Sequence, residues 1–304
     1  MKARVITPLL VAAFAATTVQ AEELWDTNLP GIQVGNIAGG LPPPGTYGVW
    51  DQYWAGTKVY NNAGNTIGEG IDFLVETPIV LWVSRQKVLG ATFGMAAAFP
   101  FTYTNLSVPN SSATSSNAHW GMFNTILTPA VLSWSVAPGV LVKAGVNVSV
   151  RNASSYPGSP PPNNGLPAGN GYWSIQPTFS ISWLHGGWNL SANGQYSYNF
   201  TNPTTDYRSG GALAIDYTLA KTVGAFTYGL GAYSINQLSA DSGSGAVAAG
   251  CAARGGCKVT NYGIGPMLGY DFGSLRMNLS YTPSVYVRND VGGSIVNLSL
   301  STRF

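Results

Sequence analysis

The chain has 304 residues, of which 9% are charged and 45% hydrophobic, and its mean hydropathy is +0.10. In soluble domains about a quarter of all residues are charged, and disordered chains are far less hydrophobic than this one. The composition therefore disfavours both classes. A formal net charge of +2 gives no basic surface for a nucleic-acid partner.

The N-terminus has the organisation of a secretory signal peptide. Lys2 and Arg4 precede an apolar run, and Val19-Gln20-Ala21 fits a small-residue cleavage site. We therefore predict a signal peptide over residues 1–21. Its removal takes 2 of the 14 basic residues and none of the 12 acidic ones, which leaves a formally neutral mature chain. No later apolar run reaches the roughly 18 residues that a membrane helix needs.

Residues 22–44 form a segment rich in glycine and proline, a composition that suits neither helix nor strand. The segment directly precedes the first predicted strand. With about twenty residues it is long enough to enter the end of a small barrel as a plug. A disordered periplasmic tail is the alternative prediction.

From residue 45 to residue 304 the sequence alternates between apolar and polar residues. In WNLSANGQYSYNF, residues 188–200, every even position is apolar or small and every odd position is Asn, Ser or Gln. This period of two is typical of a β-strand with two different surroundings on its two faces. Twelve such strands are predicted, at 46–60, 71–84, 91–108, 120–134, 141–151, 171–184, 187–200, 207–220, 225–238, 258–271, 275–289 and 294–304.

The connections between these strands alternate in length. Short turns follow the second, fourth, sixth, eighth and tenth strands, whereas most of the other connections are long and polar. This asymmetry is characteristic of a bacterial outer-membrane barrel with short periplasmic turns and long external loops. We therefore predict an all-β fold, a closed antiparallel transmembrane β-barrel of about 12 strands, located in the outer membrane and inserted there by the barrel-assembly machinery. Closure is required because an open sheet edge leaves backbone groups unsatisfied in hydrocarbon.

In the strands with the clearest alternation, charged residues share a face with Asn, Ser and Thr. A charge on the lipid face costs several kcal/mol near the bilayer midplane, on the order of 2–4 for Arg or Lys. The polar face is therefore predicted to be the lumen, and the apolar face to meet lipid. The predicted lumen-facing charges are Lys143, Arg151, Asp216, Arg276, Arg288 and Arg303.

Large aromatic residues recur near the periplasmic ends of the strands. Four of these aromatic residues follow a proline, in ETPIVLW, LTPAVLSW, IQPTFSISW and GPMLGY. The prolines predict local β-bulges, and one such bulge is predicted near Thr77. Aromatic side chains favour the membrane interface. The predicted periplasmic aromatic girdle consists of Trp82, Trp134, Trp183, Tyr217, Tyr270 and Phe304.

The residues with reactive side chains are few. Cys251 and Cys257 bracket AARGG in a glycine-rich loop, and in an exported chain such a pair favours a disulfide over a metal site or free thiols. The two histidines, His119 and His185, have no acidic residue nearby, and no His-x-Ser-Asn arrangement of a barrel phospholipase is present. The sequence therefore predicts neither an enzyme nor a metal or cofactor site.

The stretch AGGLPPPGTYG, followed by an aromatic-rich strand and NNAGN, resembles the N-terminal signature of the outer-membrane proteins of phenol meta-pathway degradation. The similarity is strongest over residues 38–65. It implies a channel for passive entry of hydrophobic or aromatic compounds, similar in character to the long-chain fatty acid transporter.

A twelve-strand barrel can hold a narrow conduit, because eight-strand barrels are filled by side chains and sixteen-strand porins enclose open channels. With a polar lumen that is mostly uncharged, we expect passage of small hydrophobic or aromatic molecules. A general small-solute porin and a structural or adhesion barrel remain alternatives. Trp50, Tyr53 and Trp54 on the first strand are predicted either to contact the solute or to anchor the barrel at the interface, since Asp51 and Gln52 compete for the inward face.

Overall fold

The structure, a computed structural model, describes residue 23 and residues 25–107, 119–159 and 166–304. The predicted signal peptide, residues 1–21, lies outside these ranges. Strands dominate the described part of the chain. They are β1 (Gly45–Tyr60), β2 (Thr66–Val88), β3 (Ala91–Ala98), β4 (Phe101–Ser107), β5 (His119–Met122), β6 (Ile126–Ala137), β7 (Val140–Ser149), β8 (Ser174–His185), β9 (Trp188–Asn199), β10 (Ala212–Val223), β11 (Phe226–Gln237), β12 (Thr260–Asp271), β13 (Leu275–Tyr281), β14 (Ser284–Arg288) and β15 (Val291–Arg303).

The strands form one closed antiparallel barrel. Strands of the wall that follow each other in sequence are paired. β1 pairs with both β2 and β15, and this closes the sheet. The successive segments β3 and β4, β5 and β6, and β13 and β14 each form one interrupted strand of the wall. The described residues therefore build a twelve-strand barrel, and the predicted fold class is confirmed.

Two strands differ from the prediction in ways that affect the lumen. β2 extends to Thr66 and Val88 at its two ends, well beyond the predicted 71–84. The strand predicted over 275–289 is broken between β13 and β14, at Thr282 and Pro283. Since this break inserts extra backbone opposite β12, Val287 is turned inward and buried.

The prolines do not all produce bulges. The β6–β7 register shifts between Leu127 and Ala130, where Pro129 lies. In contrast, the β1–β2 register runs unbroken past Thr77 and Pro78, and the β11–β12 register runs unbroken past Pro266. The bulge predicted near Thr77 was therefore wrong, because proline removes one ladder donor there without adding a residue to the strand.

The long connections lie together at one end of the barrel, the outer end. The β11–β12 connection contains the short helix α1 (Ser244–Ala248) and a 3-10 turn over Ala252–Cys257. Among the described residues, no helix has the length and apolar character needed to cross a bilayer.

Candidate functional site

The barrel lumen contains a cavity of about 1360 Å³. It is bordered by the inward side chains of the barrel strands and, on one side, by the segment that precedes β1. The candidate site therefore consists of this N-terminal segment, residues 25–44, and the wall that faces it.

The N-terminal segment contacts the wall from the outer end of the barrel to the periplasmic end. At the outer end the indole of Trp25 donates to the carbonyl oxygen of Pro167, at 2.7 Å. Further along, the backbone N–H groups of Gly31 and Gln33 donate to the carboxylate of Asp216, at 3.0 and 2.9 Å. At the other end, Gly39 N–H donates to Ser182 Oγ at 2.7 Å.

Wall side chains also donate to carbonyl groups of this segment. Asn278 Nδ2 donates to the carbonyl of Val34 at 2.6 Å, and Ser133 Oγ donates to the carbonyl of Gly39 at 2.7 Å. The backbone approaches the wall closely, since a Cβ atom on Gly39 would lie 2.3 Å from the carbonyl oxygen of Leu141. The polar lumen side chains thus replace the hydrogen bonds that a segment outside regular structure lacks.

The two halves of the lumen differ in chemistry. In the half built by β8–β15, the side chains that border the cavity are mainly polar, and most of the contacts to the N-terminal segment come from this half. In the half built by β1–β6, most of the bordering side chains are apolar, with several threonines and the buried Asp51 between them. This apolar wall consists of Val49, Tyr53, Phe73, Val75, Ile79, Leu81, Ala96, Ala98, Phe123, Ile126 and Val131.

Three aromatic rings meet at the outer half of the apolar wall. Tyr53 stacks on Phe73 with ring centroids 5.9 Å apart, and Trp25 meets Phe73 edge-on at the same distance. All three residues border the cavity. Leu29 and Ile32 of the N-terminal segment pack against the same apolar cluster. Because Tyr53 is fully buried, the aromatic surface available to a solute inside the barrel is that of Phe73 and Trp25.

The residues predicted to contact the solute lie on opposite faces of β1. Tyr53 is fully buried and points inward, and its hydroxyl donates to the carbonyl of Pro30 at 3.0 Å. Trp50 and Trp54 point outward, with 51% and 38% of their surface exposed. Asp51 rather than Gln52 takes the inward position, so both indoles face lipid and do not border the cavity.

The predicted lumen charges divide into two groups. Lys143, Asp216, Arg276 and Arg303 border the cavity. The other two lie at the outer rim instead, because the strands that carry them end or shift before reaching these positions. Arg151 follows the end of β7 and its guanidinium contacts Tyr156 and Thr204, while that of Arg288 donates to Asn62 Oδ1.

The six residues of the predicted aromatic girdle all have at least part of their side chain exposed. The indole of Trp134 donates to the carbonyl of Leu89 in a periplasmic turn, and Phe304 ends the last strand. Tyr217 lies in the middle of β10 rather than near its periplasmic end. A common interfacial role for these six residues remains a prediction.

The cysteine pair lies in the loop that covers part of the outer end of the barrel. Cys251 and Cys257 are joined by a disulfide and are 2% and 1% exposed. They pack with Tyr207 and Ala246. The neighbouring Asp241 carboxylate accepts hydrogen bonds from Tyr207, Gly210 and Gln237, and burial raises its pKa to about 6.

Of the two histidines, His185 stacks on Trp183 in a periplasmic turn, with ring centroids 5.7 Å apart. The side chain of His119 lies outside the described part of the structure.

Sequence reasoning missed Phe73 and Trp25. β2 has apolar residues on both faces, since Leu74 and Trp82 point outward while Phe73 and Val75 point inward. An uninterrupted apolar run has no period of two, but it does indicate a strand with apolar surroundings on both sides. That signal could have indicated an apolar lumen at β2.

Comparison with known proteins agrees with this architecture. Residues 55–300 match the family described as "MetA-pathway of phenol degradation", and the chain therefore belongs to that family. The family resemblance seen in the sequence is confirmed. No match is found among curated proteins.

Among solved structures, the COG4313 outer membrane channel from Pseudomonas putida F1 is similar, with a TM-score of 0.73, 15% identity, and coverage of 89% of this chain and 98% of that chain. The translocator domain of the autotransporter NalP from Neisseria meningitidis gives a TM-score of 0.45 at 10% identity over 86% of this chain and 90% of that one, too low to carry an argument. The fold and the family define an outer-membrane β-barrel.

Proposed function

We propose that this barrel is a channel for the passive uptake of small hydrophobic or aromatic molecules. The observation that supports the proposal is the apolar wall of the cavity, with the aromatic rings of Trp25 and Phe73 at its outer half and the buried Tyr53 stacked on Phe73. A solute moving along such a wall removes apolar surface from water, at about 25 cal/mol per Å². Spread over many residues, this attraction favours entry while still allowing release, as conduction requires.

We further propose that the N-terminal segment acts as a plug that narrows the conduit. Its backbone is held by side chains of the polar half, and its own Trp25 completes the aromatic surface. The segment leaves the apolar wall of β1–β6 facing the remaining cavity. This division of the lumen supports selection of apolar solutes over sugars.

Two other functions fit the lumen less well. A general porin would pass polar solutes and needs a water-filled path, for which an apolar wall is a poor lining. A structural or adhesion barrel needs no cavity at all. The similar solved structure that carries the fold comparison is titled an outer membrane channel, which supports transport for this chain rather than catalysis.

The decisive experiment compares solute entry into cells with and without the protein. The solutes are a phenol-like aromatic, a long-chain fatty acid and a sugar. The proposal expects faster entry of the aromatic or the fatty acid and unchanged sugar entry. Faster sugar entry alone would indicate a general porin, and no change for any solute would indicate a structural barrel.

A pair of tryptophan variants tests the location of the path. Trp25→Ala removes an indole that borders the cavity, and Trp50→Ala removes one that faces lipid. We expect Trp25→Ala to change aromatic uptake by roughly threefold, since an aromatic contact is worth about 0.5–1.5 kcal/mol. Trp50→Ala should leave uptake unchanged. The reverse pattern would place the path on the outer surface of the barrel.

A further inference from the structure

The β9–β10 hairpin carries a cation against an outward aromatic ring at each of its ends. At the outer end the guanidinium of Arg208 lies 4.8 Å from the ring centre of Tyr198. At the periplasmic end the ammonium of Lys221 lies 5.3 Å from the ring of Trp188. Both rings are 43% exposed on the lipid-facing side.

The spacing of these two pairs matches the thickness of the membrane. Tyr198 and Trp188 are ten positions apart on one strand, which at about 3.3 Å per residue and a tilt of about 40° gives roughly 25 Å along the barrel axis. This is the height of the apolar band of an outer-membrane barrel. The outward residues between them, such as Leu190 and Leu219, carry no charge. The two cations therefore lie at the two headgroup levels.

Arg208 is held in one orientation. Its backbone pairs with Ser242 through hydrogen bonds of 2.9 and 3.0 Å, and its Nε donates to the carbonyl of Asn199 at 3.0 Å. Within the described part of the chain, no ion pair or hydrogen bond is seen at its two terminal amino groups. The nearby carboxylate of Asp206 instead accepts hydrogen bonds from the backbone and hydroxyl of Ser244.

Exposed apolar side chains adjoin the Tyr198 ring, on which the Arg208 guanidinium lies, along the lipid-facing side. Phe200 meets Tyr198 edge-on at 5.4 Å, and Ile175 is the cross-strand neighbour of Tyr198. Trp173 lies beside Phe200, whose backbone N–H donates to the carbonyl of Trp173 at 3.0 Å. The side chains of Phe200, Ile175 and Trp173 are each more than two-fifths exposed. A cation and an adjoining apolar surface are thus available to one amphipathic ligand.

We propose that Arg208, Tyr198, Phe200 and Trp173 form a binding site for a phosphorylated saccharide lipid of the outer leaflet. The free amino groups of Arg208 bind the phosphate, because a planar guanidinium suits a phosphate with two parallel hydrogen bonds. The acyl chains lie along the exposed rings and Ile175. Lys221 faces the inner leaflet and takes no part in this site.

The test uses the purified full chain in detergent, titrated with lipid and observed by native mass spectrometry. The ligands are lipid A with both phosphates, dephosphorylated lipid A, phosphatidylglycerol and inorganic phosphate. We expect the wild type to bind diphosphorylated lipid A preferentially. Arg208→Gln should weaken this binding about fivefold, because one basic residue contributes about 1 kcal/mol at a charged membrane surface.

Lys221→Gln is the matched control, since it removes the cation at the other end of the same hairpin and should leave lipid A binding unchanged. Arg208→Lys keeps the charge and should bind between wild type and Arg208→Gln. Heat-dependent gel migration verifies that each variant is folded. Equal binding by Arg208→Gln and wild type, equal binding of the dephosphorylated lipid, or equal competition by phosphatidylglycerol or inorganic phosphate would overturn the proposal.

Discussion

The carboxylate of Asp216 holds the middle of the N-terminal segment in the lumen. It accepts hydrogen bonds from the backbone N–H groups of Gly31 and Gln33, one on each of its oxygens. Two charge-assisted bonds to one short stretch of backbone fix its position more firmly than neutral contacts would. The neighbouring contact, from Gly35 N–H to Thr218 Oγ1 at 2.8 Å, is neutral.

Asp216→Asn should loosen the segment. An amide has one oxygen instead of two equivalent acceptors, so at least one backbone N–H loses its partner, at a cost of about 1.5–3 kcal/mol for a bond to a charged group. In planar bilayers we expect more frequent excursions to a wider open state, by roughly tenfold. Asp72→Asn is the control, because Asp72 is exposed on the outward face of β2 and does not border the cavity. Identical current traces for both variants would contradict this role.

At the scale of single elements, most strands could be predicted because their two faces meet different solvents. β9 is such a case, and its predicted range of 187–200 differs by one residue at each end from the observed Trp188–Asn199. β2 could not be predicted in full because apolar side chains occupy both of its faces. The break at Pro283 and the path of the N-terminal segment depend on contacts distant in sequence, which a local pattern does not contain.

The disulfide in the outer β11–β12 connection should protect both cysteines from chemical labelling. Since Cys251 and Cys257 are buried and bonded to each other, neither should react with an alkylating reagent in the exported protein. Reductant alone should give slow labelling, and reductant with denaturant should give two labels per chain. The measurement is intact mass after labelling, with a Cys251→Ser, Cys257→Ser double variant as the blank. Two labels on untreated protein would contradict the expectation.

The whole molecule combines a mostly apolar outer surface with an uneven lumen. The outward face is largely apolar, as a lipid environment requires, with Gln52 and Glu76 on β1 and β2 as a polar exception that bonds Trp50. The lumen has a polar half that binds the N-terminal segment and an apolar half that borders the cavity. The barrel and the segment are therefore separable. The wall owes its closure to strand pairing. Under the proposed function, the segment sets the width of the conduit.

Deleting residues 25–40 should consequently widen the conduit without unfolding the barrel. The deletion removes the backbone that Asp216, Ser182 and Asn278 hold, and it leaves all twelve wall strands in place. We expect single-channel conductance to rise severalfold and sugar entry to appear. The reason is that water would fill the space left by the segment, next to the polar half of the lumen. A synthetic peptide of residues 25–40 should lower the conductance again. Unchanged heat-dependent migration shows that the barrel is intact, and unchanged conductance in an intact barrel would place the segment outside the path of the solute.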